Sequence, residues 1–381
     1  MNRAESAEIK KQYTPDRCTI DRICGCYVNH EKKKIFTSSQ AFPLIPDEEM
    51  FKYLDVFRHA LSGRHGKNLI DLAFLEAEKE EGGTQDFFLR LRESGLQDDV
   101  LLDMFYDRFI ENYDYGENYY IILVHAVYDV PGVTSDRVAM EDASEHVFDH
   151  ILCAVCPVLL SKAGLSYNEQ KNLIEDRFRD WVVDMPAKGF LFPSFTDRTA
   201  NVHQLLYYTK DAKDVQPDLV SGFFGAYEVM SAPAQQEGFE DLVQKTLGED
   251  GVFTTVQSLH ENLQQKIEEH TDPEEPLTLG KEDVKKLLKE SGVSSAKMRT
   301  FDENFASSFH REDYPLLASN IARTTRFEMK SPDVRVIVNP ERADLVQTRM
   351  IDGQPCLVIR IDDHIEVNGI NVKTISPKPS A

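Results

Sequence analysis

Residues 119–130 read YYIILVHAVYDV, a run of β-branched and aromatic side chains interrupted only by His125 and Asp129. Such side chains suit a pleated, packed surface, and the run has the length of a strand rather than the ~18 apolar residues of a membrane span. Four later stretches share its character: Val147 to Leu160, Asp176 to Met185, Gly189 to Phe195 and His203 to Thr209, each bounded by Pro, Gly or Asn. Together they predict an antiparallel β meander within an α+β fold. Trp181, the single tryptophan, falls in one of these strands and is expected in the core or on a sheet face rather than as a binding platform.

Upstream of the meander, Cys18 to Val28 and Ile35 to Phe42 flank the polar turn Asn29 to Lys34, which reads as a hairpin. Pro46 and three acidic residues open a helix whose Met50, Phe51, Leu54, Phe57 and Leu61 recur at helical spacing. Lys67 to Leu75 reads as a strand. Thr84 is expected to cap the first of two helices that part near Ser94-Gly95.

Downstream of Lys210 the helical period returns, most clearly in Val256, Leu259, Leu263 and Ile267. A final β region alternates Val334, Val336 and Val338 with Arg335 and Ile337, and Asp352-Gly353 marks a hairpin turn. The expected domains are residues 1–210 (α+β, with the antiparallel sheet), 211–322 (mainly helical) and 323–381 (C-terminal β).

The chain has 381 residues, 43 Lys/Arg against 65 Asp/Glu, and a formal charge of −22. The charge is partitioned: residues 1–67 carry 12 basic and 9 acidic side chains and residues 323–381 carry 9 and 8, so the acidity sits in the centre. A uniformly basic nucleic-acid binder is excluded, whereas a polarised one is allowed. Lys32, Lys33 and Lys34 in the N-terminal turn, with Arg323, Arg326, Arg335, Arg342 and Arg349 near the C-terminus, are the positions where a DNA backbone would have to bind. The acidic middle and the amphipathic helix point instead to a protein partner.

Catalytic signatures are sparse. Asp142, His146 and His150, and Asp197 with His203, could be drawn as a metal-dependent hydrolase site, but turn structure is the weightier reading of Asp197 and no HExxH pattern is present. Cys153 and Cys156 have C-x2-C spacing, yet in a strand they would face opposite ways. With glycine-rich phosphate loops and a nucleophile elbow also missing, no catalytic, cofactor or metal residue is assigned. Met1 to Lys11 lacks the apolar core of an export signal, so a cytoplasmic chain with six reduced cysteines is expected. The pattern assigns no oligomeric state.

Over nearly its whole length the sequence resembles an uncharacterised family of bacterial proteins, through Cys18 to Tyr27 (CTIDRICGCY), Gly189 to Arg198 (GFLFPSFTDR) and Asn339 to Gly369. That resemblance implies no activity. Leu206 to Ile321, including Leu219 to Ser231 (LVSGFFGAYEVMS), is more distantly similar to the 37-kDa nucleoid-associated proteins. This second resemblance implies a non-enzymatic, DNA-proximal role and transfers no contact residue. Here Ala226 follows Gly225 where that family has a cysteine.

Overall fold

A computed structural model describes residues 1–133, 139–248, 253–270, 275–309, 311–322, 327–361, 365–367 and 369–372. The chain divides into two compact units, residues 1–235 with 272–276, and 236–271 with 277–381.

The first unit begins with α1 (Arg3–Gln12), capped by Asn2, whose side chain accepts from Glu5 N (2.9 Å) while Glu5 answers Asn2 N (2.7 Å). There follow β1 (Ile20–Val28), β2 (Lys34–Ala41), α2 (Asp47–Ala60), β3 (Leu69–Ala73), α3 (Thr84–Glu93) and α4 (Asp99–Asn112). Next come β4 (Tyr119–Val133), β5 (Ala139–Leu160), the short strands β6 (Leu165–Asn168), β7 (Leu173–Asp176) and β8 (Trp181–Val183), then β9 (Lys188–Phe192), β10 (Ser194–Thr196), β11 (Thr199–Asn201) and β12 (Gln204–Thr209). A π-helical turn, Leu219–Phe223, carries the first unit beyond position 210.

The main sheet runs β2-β1-β4-β5-β9-β12-β3, antiparallel throughout, with β8 paired to the far end of β5. Each face is covered. On one, Cys24, Cys26, Ile121, Leu123, Cys153 and Phe190 pack with α3, α4 and the π-helix. Phe88 stands at the centre of that layer, its ring 5.4–6.2 Å from those of Phe190, Phe192, Phe223 and Phe224. On the other, Ile23, Ile122, Val124, Leu152, Ala154 and Cys156 pack with α1 and α2. A central strand clothed on both sides must be apolar at odd and even positions alike, which is why residues 119–130 read as a near-continuous apolar run.

Thr84 is the first helical residue and Gly83 the cap. The Thr84 N–H and hydroxyl donate instead to Glu78 (2.9 and 2.6 Å), whose carboxyl is held below its ordinary range chiefly by those bonds. Trp181 is not in the core: it is 56% exposed in β8.

The second unit contains most of α5 (Ala232–Leu247), then α6 (Phe253–Glu269), β13 (Thr278–Leu279), α7 (Lys281–Glu290), α8 (Phe301–Phe309), β14 (Leu316–Leu317) and α9 (Ala318–Ile321). Three hairpins follow: β15 (Phe327–Lys330) with β16 (Arg335–Val338), β17 (Val346–Ile351) with β18 (Gln354–Ile359), and β19 (Ile365–Val367) with β20 (Ile370–Val372). Asp352 and Gly353 both have positive φ (52° and 79°) between Ile351 and Gln354, a tight two-residue turn. Among the described residues no helix is long and apolar enough to cross a membrane.

Candidate functional site

The terminal strand β2 and helix α4 frame a groove of about 570 Å³, lined by Thr37, Ser38 and Ser39 on one side and by Asp99, Asp103 and Tyr106 on the other. Its geometry follows from the sheet. Cys24 and Cys26 of β1 face α4, and Ser39 and Thr37 stand opposite them in register, so the strand offers small hydroxyls on that face. Gly25 between the two cysteines makes room behind: a Cβ there would lie 1.9 Å from the Tyr120 hydroxyl.

Helix α4 begins at Asp98, whose side chain accepts from Val100 N (2.9 Å) and Leu101 N (3.1 Å). Its inner residues Leu102, Phe105 and Phe109 are buried, leaving Asp99, Asp103 and Asp107 toward solvent. Lys34 reaches across from the start of β2, bonded to Asp103 and 2.8 Å from Asp107. Burial alone would lower its pKa, but the two carboxylates raise it, so the ammonium is held charged.

Tyr106 is buried, and its hydroxyl has no hydrogen-bond partner. Burial drives that phenol far above its ordinary value, so it is a neutral donor. Beneath it, burial pushes the Cys26 thiol up to about 12, against the pull of Lys34, and raises Cys24, which donates to Leu96 O (3.7 Å). These are inert thiols rather than nucleophiles.

At the same end of β1, Arg22 Nη1 donates to Ser39 Oγ (2.9 Å), and His125 is clamped between Asp21 (Nδ1, 2.9 Å) and Asp149 (Nε2, 2.7 Å). Both ring nitrogens must donate, which requires an imidazolium. Burial opposes that charge, but the two carboxylates outweigh it and raise the pKa of His125. Asp149 shows the reciprocal balance, its desolvation overcome by the His125 bond so that its pKa falls. With both nitrogens committed, this histidine is a strut and not a free base.

The residues singled out from sequence fall in both units. Lys32 is exposed in the turn with φ 59°, Lys33 pairs with Glu31 (2.8 Å), and Lys34 is spent on α4. In the other unit Arg335 pairs with Glu328 (2.7 Å), Arg342 lies 3.4 Å from Asp344, and Arg349 donates to Gln347 (3.0 Å). Arg323 and Arg326 lie outside the described residues.

Among the described residues, the ring bonds of His150 and His203 go to neutral partners. His150 is fully buried, its Nε2 2.9 Å from the Tyr13 hydroxyl, and burial lowers its pKa to about 4. His146 is exposed, and the Asp142 side chain lies outside the described set. Asp197 and Arg198, both at positive φ, form the turn between β10 and β11, while His203 Nδ1 meets Gln85 (3.3 Å). Cys153 and Cys156 face opposite sides of the sheet. Among the described residues no cluster of His, Cys, Asp or Glu could hold a metal ion.

Sequence reasoning missed Asp99, Asp103, Tyr106 and the clamped His125. The aspartates at i, i+4, i+8 on one helix face were the available signal. In the second unit an apolar concavity of about 460 Å³ is lined by Phe239, Val243, Val256, Phe327 and Met329. Segments 249–252 and 323–326, adjoining that lining in sequence, lie outside the described residues.

No curated protein matches the chain, and the resemblance to the nucleoid-associated proteins thus finds no support. The family described as "Domain of unknown function (DUF4317)" matches residues 1–370, nearly the whole of the chain, and the protein belongs to that family.

Proposed function

We propose that the protein is a non-enzymatic interaction module that accepts an extended, cationic peptide segment as an added strand along β2. The observation that carries this reading is the groove itself: a terminal strand whose outer backbone edge is unpaired among the described residues, walled by the acidic face of α4 and floored by a buried phenol lacking a partner. Strand addition supplies main-chain hydrogen bonds, and the wall selects by charge. Lys34 pairs with Asp103 and Asp107 and offsets that part of the wall.

A DNA-proximal role would need Lys32 to Lys34 and the C-terminal arginines to present free charge together. The described members other than exposed Lys32 each face a carboxylate or amide of their own unit, which weighs against that role. A gel shift at low salt, where counterion release most favours association, is expected to show no complex with duplex DNA. A cytoplasmic location is supported by the six unpaired cysteines.

Fluorescence anisotropy with a labelled octapeptide of alternating Val and Lys tests the reading, beside a version carrying Glu in place of Lys. The Lys peptide should bind, and Asp99→Lys should weaken it about tenfold, on the order of 1.4 kcal/mol. Equal binding of both peptides, or none up to about 1 mM, would sink the proposal.

A further inference from the structure

Lys34 stands on the α4 face of β2 because the strand is bulged. Val28 pairs with Lys34 and Tyr27 with Phe36, so Ile35 is an extra residue between them. In an unbroken strand residues 34 and 36 would share a face. Here they do not: Lys34 stands opposite Val28, which packs on the α4 side with Cys24 and Cys26, whereas Phe36 stands opposite Tyr27 on the other side. The bulge thereby turns one lysine of a three-lysine run toward the aspartates. Lys33 pairs instead with Glu31 (2.8 Å), and Lys32 is exposed in the turn.

The seat that Lys34 takes is the one an added strand would find for its own cations. Lys34 is bonded to Asp103 and lies 2.8 Å from Asp107, one helical turn further along α4. Asp103 also lines the groove, across from Thr37. The Lys34 side chain is 27% exposed, against 63% for Asp103 and 54% for Asp107, so the lysine is largely covered while both carboxylates keep a side open to solvent. Ion pairs with carboxylates this exposed contribute little, so exchanging one for another costs little.

We infer that Lys34 is a built-in occupant of the acidic wall, which a basic side chain of the incoming strand displaces from Asp103. The inference rests on the strand-addition reading and deepens it: binding is an exchange of one cation for another, and Lys34 sets its threshold. A segment that brings a cation to Asp103 restores the pair that Lys34 gives up. A neutral segment leaves Lys34 seated and gains from main-chain pairing alone, and an acidic one meets the carboxylates of α4. Lys34 thus selects for a charge placed at its own end of β2, beyond the attraction of any cation to an acidic protein.

The experiment uses the full chain and, as probe, a fluorescent, N-acetylated octapeptide of alternating Val and Arg, which is cationic but carries no amine. In anisotropy titrations Lys34→Met, which keeps an apolar stem and removes the charge, should bind the probe about fivefold more tightly than the wild type, the upper range for one exposed ion pair. Lys34→Arg refills the seat and should bind as the wild type does. Lys32→Met removes the same charge from the neighbouring turn and should tighten binding by no more than about twofold, because an exposed charge is screened by salt. The wild type gives a direct readout through site-resolved reductive methylation: Lys34 should react slowly in the free chain and faster with saturating probe, as its ammonium is released to water. Equal tightening by Lys34→Met and Lys32→Met, or a Lys34 that reacts more slowly with the probe bound, would overturn the exchange and leave strand addition standing. No binding of the probe to any of the four proteins up to about 1 mM would overturn the groove reading itself, and the exchange with it.

Discussion

Two histidines of neighbouring strand positions titrate in opposite senses. His125 has its pKa raised by Asp149 and Asp21, so its contribution to stability is complete below the unfolded value of 6.5 and is lost as pH rises through the folded value. Asp149, lowered by the same bond, contributes above its ordinary 3.8 and loses that contribution as pH falls through its folded value. The clamp is therefore strongest in mildly acidic solution. His150 is buried neutral with a pKa of about 4, so the unfolded chain takes up its proton first and stability falls below pH 6.5. The two effects oppose each other, and a difference against a variant separates them. His125→Gln should lower unfolding stability by about 2 kcal/mol near pH 5.5, with a smaller loss near pH 9, measured by urea denaturation. A loss independent of pH would mean that His125 is merely packed. Tyr106 gives a second test at this scale. Removing an unpaired buried hydroxyl takes away a desolvation penalty, so Tyr106→Phe should leave thermal stability unchanged or raise it by up to about 1 kcal/mol. If the hydroxyl meets an added strand, the same change should weaken peptide binding.

At the scale of elements, β5 and β9 touch at Gly189, where a Cβ would lie 2.6 Å from the Cys153 carbonyl oxygen and 3.3 Å from Ala60 Cβ. Backbone on one side and α2 on the other leave nowhere to move, so Gly189→Ala should cost about 2 kcal/mol or more in chemical denaturation. Most elements were legible in the sequence because their signals are local. The Cys18 to Val28 hairpin, the helix after Pro46, the apolar central strands and the Asp352-Gly353 turn each appear where side-chain spacing and turn chemistry place them. What was not legible depends on contacts between distant segments. Thr84 has the residue type of a cap, but Glu78 six positions earlier takes its donors. Lys34 belongs to a basic run and reads as free charge until α4, some 70 residues on, brings two carboxylates to it. Trp181 reads as core or sheet face and stands on an exposed strand, because sequence records a strand's two faces but not which of them is covered.

For the molecule as a whole, the net charge of −22 sets what can approach it. Polyanions are repelled, whereas cationic segments are drawn in, with an association rate that should fall as salt is added. The acidic face of α4 beside a terminal strand is the place where a basic segment meets the most attraction. Amide hydrogen exchange of the full chain, with and without saturating Val-Lys octapeptide, reads strand addition along β2 at the backbone that would pair. Slowed exchange is expected in residues 35–41, with little change at β3, the opposite terminal strand of the sheet. Peptide binding that leaves residues 35–41 exchanging at their free rate, or that protects a different segment, would contradict it.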